Sequence, residues 1–389
     1  MFVEIHILQN FAPSNLNRDD TGMPKDCEFG GYRRARISSQ CFKRAMRNEF
    51  DARGLIEKDS LARRTKRLVA ELADRFKGGG RDVEEATSVI KLVLSGAKLE
   101  VGSDDKTQYL LFLGNREIDK LADVCAKHWD ELAAIEPANA APTQDDSTPK
   151  RRKSAGREAI PKEVRDATLQ ILDGGKAADL ALFGRMLADL PDKNIDAASQ
   201  VAHAISTNRI SMELDYYTAV DDLKPDDTAG ADMIGTVGFN SACFYRYANV
   251  DMGQLKSNLQ GDEELAQRTL EAFIRASVNA VPTGKQNSMA AHNPPSFVLA
   301  VVRRSSLWNL ANAFLKPVAP YGGEDLALRS IKALDSYWGK LTRVYGDNTI
   351  VGKSSVSLEE DGVDNLKASA VRSVDALAEN VLAETRVKS

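Results

Sequence analysis

One stretch of the 389-residue sequence holds the most suggestive chemistry. Tyr32 to Asn48, YRRARISSQCFKRAMRN, carries six basic residues (Arg33, Arg34, Arg36, Lys43, Arg44 and Arg47) and no acid. The spacing predicts a helix from Ser39 to Arg53, with Ser38 or Ser39 as its N-cap. Phe42, Ala45 and Met46 would form its buried stripe. Gln40, Lys43, Arg44 and Arg47, at i, i+3, i+4 and i+7, would share the opposite face. A helix N-terminus offers unpaired N–H groups to phosphate, Ser and Gln add donors, and Lys and Arg add charge. This suits a polyanion backbone. The plainer reading is a solvated basic face, the common state of charged helices. Against it, removing these six charges from a formal net charge of −4 leaves the rest of the chain at −10.

Tyr216, Tyr217 and Thr218 form a second candidate. Adjacent aromatics on a strand point to opposite faces, so at least one could meet solvent and stack on a base. A core residue beside an ordinary surface residue is the commoner arrangement. Positive signs of catalysis are absent. His6, His128, His203 and His292 share no metal-ligand spacing, and no Ser-His-Asp or Cys-His signature occurs. Asp19–Asp20 and Asp221–Asp222 could hold a divalent ion, but Asp is favoured in turns regardless. Gly78–Gly79–Gly80 lacks the G-K-[ST] of a phosphate loop.

The elements that must position these groups follow from periodicity. Phe2, Glu4 and His6 alternate with Val3, Ile5 and Ile7, as in a strand with one buried face. Pro13 to Gly31 reads as a long functional loop. Helices are expected over Ser39–Arg53, Leu61–Phe76, Glu84–Leu94, Glu117–Leu132, Lys162–Leu172 and Ala177–Ala188. Glu136 to Pro161, rich in Ala, Pro, Ser and Thr and holding Lys150 to Lys153, reads as a surface or disordered insertion. Strands are expected over Ile210–Val220, Val237–Asn249 and Phe297–Val302, the first two as a long-looped hairpin. Two late helices should cover Ser306–Leu315 and Glu324–Tyr345. A strand, a helical block and further strands predict an α+β fold with an inserted helical domain.

Composition bounds the rest. The 43% hydrophobic content supports packed cores, and the length suits about two or three domains. The acidic balance alone speaks against a nucleic-acid binder. No stretch approaches the ~20 apolar residues of a membrane span, and MFVEIHILQN lacks the basic start of a signal peptide. Four scattered cysteines without a C-x-x-C pair point to reduced thiols. A soluble cytoplasmic protein with no cofactor or metal and no membrane partner is expected.

The N-terminal string IHILQNFAPSNLNRDDTGMPKDCEFGGYRRARISSQCFKRAMR resembles the opening of the CasC-type backbone subunits of type I-E CRISPR Cascade, which belong to the RAMP superfamily. GRM at Gly184, AHAIST at Ala202, DYYTAVDDL at Asp215, FYRYANV at Phe244, GKQNSMAAHNP at Gly284 and LANAF at Leu310 resemble the same family in order. The resemblance implies an RRM-like (ferredoxin-like) palm, an inserted helical fingers domain and a β-hairpin thumb. The palm would comprise 1–58, 201–209 and 243–389, the fingers 59–200 with a flexible tract at 136–161, and the thumb 210–242. It also implies a non-enzymatic subunit in antiviral defence. Copies would stack head-to-tail as a filament along CRISPR guide RNA and present it in segments to a target DNA strand. Partners would be other Cascade subunits and a recruited helicase–nuclease. Carried over by position, the RNA-binding residues are Asn17, Arg18, Lys25, Ser38, Gln40, Lys43, Arg47 and Lys285 on the palm. Met186 of the fingers and Tyr216, Tyr217 and Thr218 of the thumb would wedge and stack. The Lys150–Lys153 tract has no counterpart in the family, and the RNP1 motif of ordinary RRMs is absent. A RAMP-type endoribonuclease using His6, His203 or Asp221, and a general single-strand-binding protein, are the competing expectations.

Overall fold

The computed structural model describes residues 1–78, 80–135, 157–219, 233–359 and 361–386. Lys150 to Lys153 and Asp221–Asp222 lie outside the described residues, as does most of the expected flexible tract. The strands in chain order are β1 (Phe2–Ser14), β2 (Asp26–Phe29), β3 (Tyr32–Ile37), β4 (Ala62–Thr65) and β5 (Leu111–Gly114). They continue with β6 (Ser199–Val201), β7 (Ala204–Ser206), β8 (Glu213–Ala219), β9 (Met233–Asp251), β10 (Phe297–Arg303) and β11 (Ile350–Ser357). The chain divides into two units. The first comprises Met1–Leu55, Ser199–Met252 and Gln267–Ser389, and the second Ile56–Ala198 with Gly253–Ala266.

The first unit is a mixed α+β body built on one antiparallel sheet, in the order β11-β10-β1-β9-β7-β3-β2, with β6 and β8 also paired to β9. The sheet is covered on both faces. Phe11, Ile37 and Phe244 pack with Phe42 of helix α1 (Ser39–Ala52) on one side. Leu8, Tyr245, Leu299 and Phe314 pack with Ile331, Leu334 and Trp338 of the helix Leu326–Tyr345 on the other. Burial of each such large side chain stabilises by roughly 1.5–3 kcal/mol.

Double coverage explains one departure from the sequence pattern. β1 was expected to bury one face, yet Glu4 and His6 are as inaccessible as Val3 and Ile5. Glu4 and one nitrogen of His6 find polar partners. Glu4 accepts from the Trp308 N–H (2.6 Å) and the Tyr247 hydroxyl (3.0 Å) and pairs with Arg303, while His6 Nδ1 meets the Tyr245 hydroxyl at 2.9 Å. Burying a charge without such partners would be prohibitive.

β9 is 19 residues long and serves two partners. Met233–Phe239 pairs with β8 as a projecting hairpin, and Asn240 onward pairs with β1. The hairpin therefore grows out of the sheet as one continuous strand.

The second unit is mainly helical, around Leu72, Val89, Ile90, Leu121 and Trp129, with the two-stranded sheet β4–β5 at its side. The helix expected over Leu61–Phe76 begins only at Leu68, because Ala62–Thr65 pairs with Leu111–Gly114 instead. The helix expected over Ala177–Ala188 ends at Phe183, where Gly184 turns to φ +76°. Gly253–Ala266, expected within the palm, belongs to this unit. Asn258 Nδ2 donates to the carbonyls of Ala181 (2.9 Å) and Asp196 (2.8 Å).

Candidate nucleic-acid interface

Helix α1 is built as its sequence predicts. Ser38, in extended conformation, caps it by accepting from the Cys41 N–H. Phe42, Ala45, Met46 and Phe50 are buried, leaving Gln40 and Arg44 exposed and Lys43 and Arg47 partly so. The Ser38 N–H donates to Asn17 Oδ1 (2.8 Å), and the Asn17 carbonyl accepts from the Lys25 N–H (2.8 Å). Two loop residues are thus locked to the helix N-terminus. Lys285 joins them from across the chain. Gly284 passes so close that a Cβ would lie 2.4 Å from the Leu16 carbonyl oxygen, and Lys285 follows in a left-handed conformation at φ +51°. Asn17, Lys25, Ser38, Gln40 and Lys285 therefore lie around one point of the first unit. Lys43 and Arg47 extend from it along α1, while Arg18 lies exposed on the loop, bridged to Pro24.

The local field is positive. Arg36 Nη1 lies 3.1 Å from His203 Nδ1, and burial, then Arg36 and Lys25, push the His203 pKa down. Lys25 and Arg44 both act on Cys41, whose thiol is nonetheless pushed up by burial. The six basic residues do not all belong to this surface, however. Arg34 of β3 is wholly buried, donating to the carbonyls of Ser206, Thr207, Phe314 and Leu315 at 2.6–3.3 Å. Arg33 pairs with Asp26 at 2.6 Å. Arg34 is a structural clamp.

The hairpin of β8 and β9 presents both tyrosines. Tyr216 is 61% and Tyr217 40% exposed, because a two-stranded ribbon covers neither of its faces. The Tyr217 ring lies across Gly235, where a Cβ would meet it at 2.5 Å. Thr218 is exposed as well. Leu214, which sequence reasoning passed over, shares the Tyr216 face at i−2 and is 66% exposed. An apolar residue two before an aromatic in an otherwise polar strand was the available signal. The loop from Asn15 to Lys25 is tied to the hairpin base. Asn15 Nδ2 donates to the Gly238 carbonyl (2.9 Å), and Met23 packs where a Gly238 side chain would stand.

Met186 stands in the second unit, 81% exposed, at the end of a rigid support. Gly184 has no room for a Cβ, which would meet the Ile195 carbonyl oxygen at 2.8 Å. Arg185 is buried, with Nη1 bridging both Glu117 oxygens (2.8 and 2.9 Å). Glu117 also accepts from the Gly114 and Gly174 N–H groups. The glycine turns the chain, the arginine anchors it, and the methionine is left projecting.

The model of the family described as CT1975-like protein matches residues 3–382. The chain belongs to this family. A chain of a solved structure described as "CRISPR RNA-guided surveillance complex, pre-nicking" superposes on this family member with a TM-score of 0.81. It is 33% identical, over 98% of this chain and 99% of that one. A chain of another, described as "CRISPR RNA-guided surveillance complex", gives a TM-score of 0.71 at 28% identity, again over 98% and 99%. Among curated proteins, none matches in sequence.

Two of the groups with catalytic or metal-binding potential, His6 and Asp19, are committed to structural contacts. His6 is fully buried, and burial followed by the Arg303 charge holds its pKa down at about 3. Asp19 is occupied in its own turn, its Oδ1 accepting from the Thr21 hydroxyl and the Thr21 and Met23 N–H groups. Asp221 lies outside the described residues. Among the described residues, no three His, Cys, Asp or Glu side chains cluster as a metal site would require, and no helix is long and apolar enough to cross a membrane.

Proposed function

We propose that this protein is a guide-RNA-binding backbone subunit of a Cascade surveillance complex, of the CasC type found in type I-E systems. One observation carries the reading. Within a single unit, a capped helix N-terminus, two locked loop residues and Lys285 gather beside a ribbon that exposes Leu214, Tyr216 and Tyr217. The end-to-end likeness to chains of CRISPR RNA-guided surveillance complexes supports it, and the N-R-D-D and G-G-Y-R-R-A-R-I-S-S-Q strings support the narrower type assignment.

Amides, lysines and arginines would take phosphate, and the thumb side chains would stack or wedge without reading base edges. That is the requirement for a subunit that accepts any spacer, since sequence is then read by pairing with the guide. Copies would add head-to-tail along the guide, leaving segments open to a target DNA strand. Other Cascade subunits and a helicase–nuclease would complete the assembly, and the subunit itself would not be an enzyme.

The test is the nucleic acid that co-purifies from cells carrying a CRISPR array. Guide-length RNA with constant repeat ends and varied spacers is expected. RNA of random sequence would indicate a general single-strand-binding protein instead. Cleavage of labelled repeat RNA by the purified chain would overturn the non-enzymatic assignment.

A further inference from the structure

Arg246 of β9 is a buried cation in the antiparallel sheet. It is 7% exposed, and among the described residues no carboxylate pairs with it. Nη1 donates to Gln9 Oε1 and Nη2 to the Ser277 carbonyl, both at 2.6 Å, and the guanidinium carbon lies 4.1 Å from the centre of the Phe42 ring. Burial alone pushes its pKa down to about 9. A buried charge held by neutral partners is expensive, and a hydrophobic side chain of similar volume would serve packing as well or better. The geometry shows what the charge gains. Phe42 belongs to α1, whose N-terminus and exposed face carry Ser38, Gln40 and Lys43. Gln9 uses its other end, Nε2, to donate to the Asn293 carbonyl (2.7 Å), and Asn293 Oδ1 accepts from the Ala12 N–H (3.1 Å). Asn293 lies in the segment that holds Lys285.

Resting on the guide-binding reading, we infer that Arg246 is a positioning residue. Its planar fork fixes α1 through Phe42, and the Lys285 segment through Gln9 and Asn293, so that both meet the guide backbone in one register. The same strand carries the thumb, so palm contacts and thumb side chains share a single reference point. Arginine is required because only a flat guanidinium can stack on Phe42 while donating two hydrogen bonds in its plane.

The experiment measures binding of a synthetic repeat–spacer RNA to the full chain across a range of salt. Arg246→Met is expected to fold, to bind about ten-fold or more weakly, and to flatten the slope of log K against log salt. The change should be about 0.7–1.4, one or two phosphate contacts at ~0.7 each. Arg246→Lys keeps the charge without the fork and should flatten the slope equally. A wild-type slope in Arg246→Lys would assign the effect to charge and overturn the positioning role. Weaker binding with an unchanged slope in Arg246→Met, the result of mere loss of folded protein, would overturn it too. Should Arg246→Met fail to fold, Gln9→Met removes the donor to the Asn293 carbonyl and so cuts the link to the Lys285 segment, leaving Arg246 stacked on Phe42. It should flatten the slope by about 0.7, and no change would sink the inference. Wild-type protein that does not bind the RNA overturns the functional reading and this inference together. Wild-type binding with unaltered variants overturns this inference alone.

Discussion

His6 offers a quantitative test of how the palm sheet is built. In the unfolded chain its imidazole titrates near 6.5, whereas burial and the Arg303 charge bring it to about 3 in the fold. Between those values the unfolded state binds one proton more than the folded state, so stability falls as pH falls. The loss is negligible above pH 7.5. It reaches about 1.4 kcal/mol at pH 5.5 and about 2 kcal/mol at pH 5, at 1.36 kcal/mol per pH unit once the unfolded group is charged. His6→Asn keeps an acceptor for the Tyr245 hydroxyl but cannot titrate. Urea unfolding of both proteins at pH 7.5, 5.5 and 5 isolates the effect, because other histidines and carboxylates contribute to both. The smaller Asn side chain should lower stability at every pH, and the gap between the two proteins should narrow by those amounts on acidification. A gap independent of pH would mean that His6 is protonated, or reaches solvent, within the folded state. The buried pairing with Tyr245, and the argument against His6 as a catalytic base, would then fail together.

Further outcomes follow from the same structure. Arg34→Met removes a donor from each of four carbonyls and should cost at least about 1–3 kcal/mol by urea unfolding. Arg33→Ala, losing only an exposed ion pair, should cost under about 1 kcal/mol. Tyr216→Ala should weaken guide binding by ~1–3 kcal/mol with an unchanged salt slope, since stacking releases few counterions. Lys43→Ala should instead flatten the slope by up to about 0.7 for every spacer sequence, and an effect limited to one spacer would refute the backbone contact. Gly184→Ala forces a left-handed φ and a clash with the Ile195 carbonyl. It should loosen the second unit by about 1–3 kcal/mol, read as faster amide exchange there with the palm unaffected.

Period and capping made α1 legible, and with it the face that bears Gln40, Lys43 and Arg47. They could not separate Arg34 from Arg33, because the distinction depends on a pleat whose partner, β7, lies about 170 positions away, as the Arg34–Ser206 bond records. Glu4 and His6 read as an outward face for the same reason. A helix far along the chain covers that side of the sheet, and period 2 says nothing about what sits above it. Ala62–Thr65 looked helical by periodicity and was taken by a strand partner at Leu111–Gly114, a tertiary override of local preference. The aromatic pair of the thumb was visible. That both members and Leu214 are exposed required knowing that the hairpin stands clear of the sheet.

The continuity of β9 bears on how the chain is made. His6 of β1 and its partner Tyr245 are 239 positions apart. At ~5–20 residues per second, synthesis takes roughly 12–50 s between them. Residues 56–198 of the second unit emerge in that interval, and most of their contacts are among themselves. Most of the second unit, all but its Gly253–Ala266 segment, is therefore made while β1 still waits for both of its neighbours. Phe2 to Phe11 is a hydrophobic strand with two open edges during that time, the kind of segment that invites association between chains. Glu4 and His6, so costly to bury later, interrupt its apolar run, and polar interruptions of that kind oppose such association.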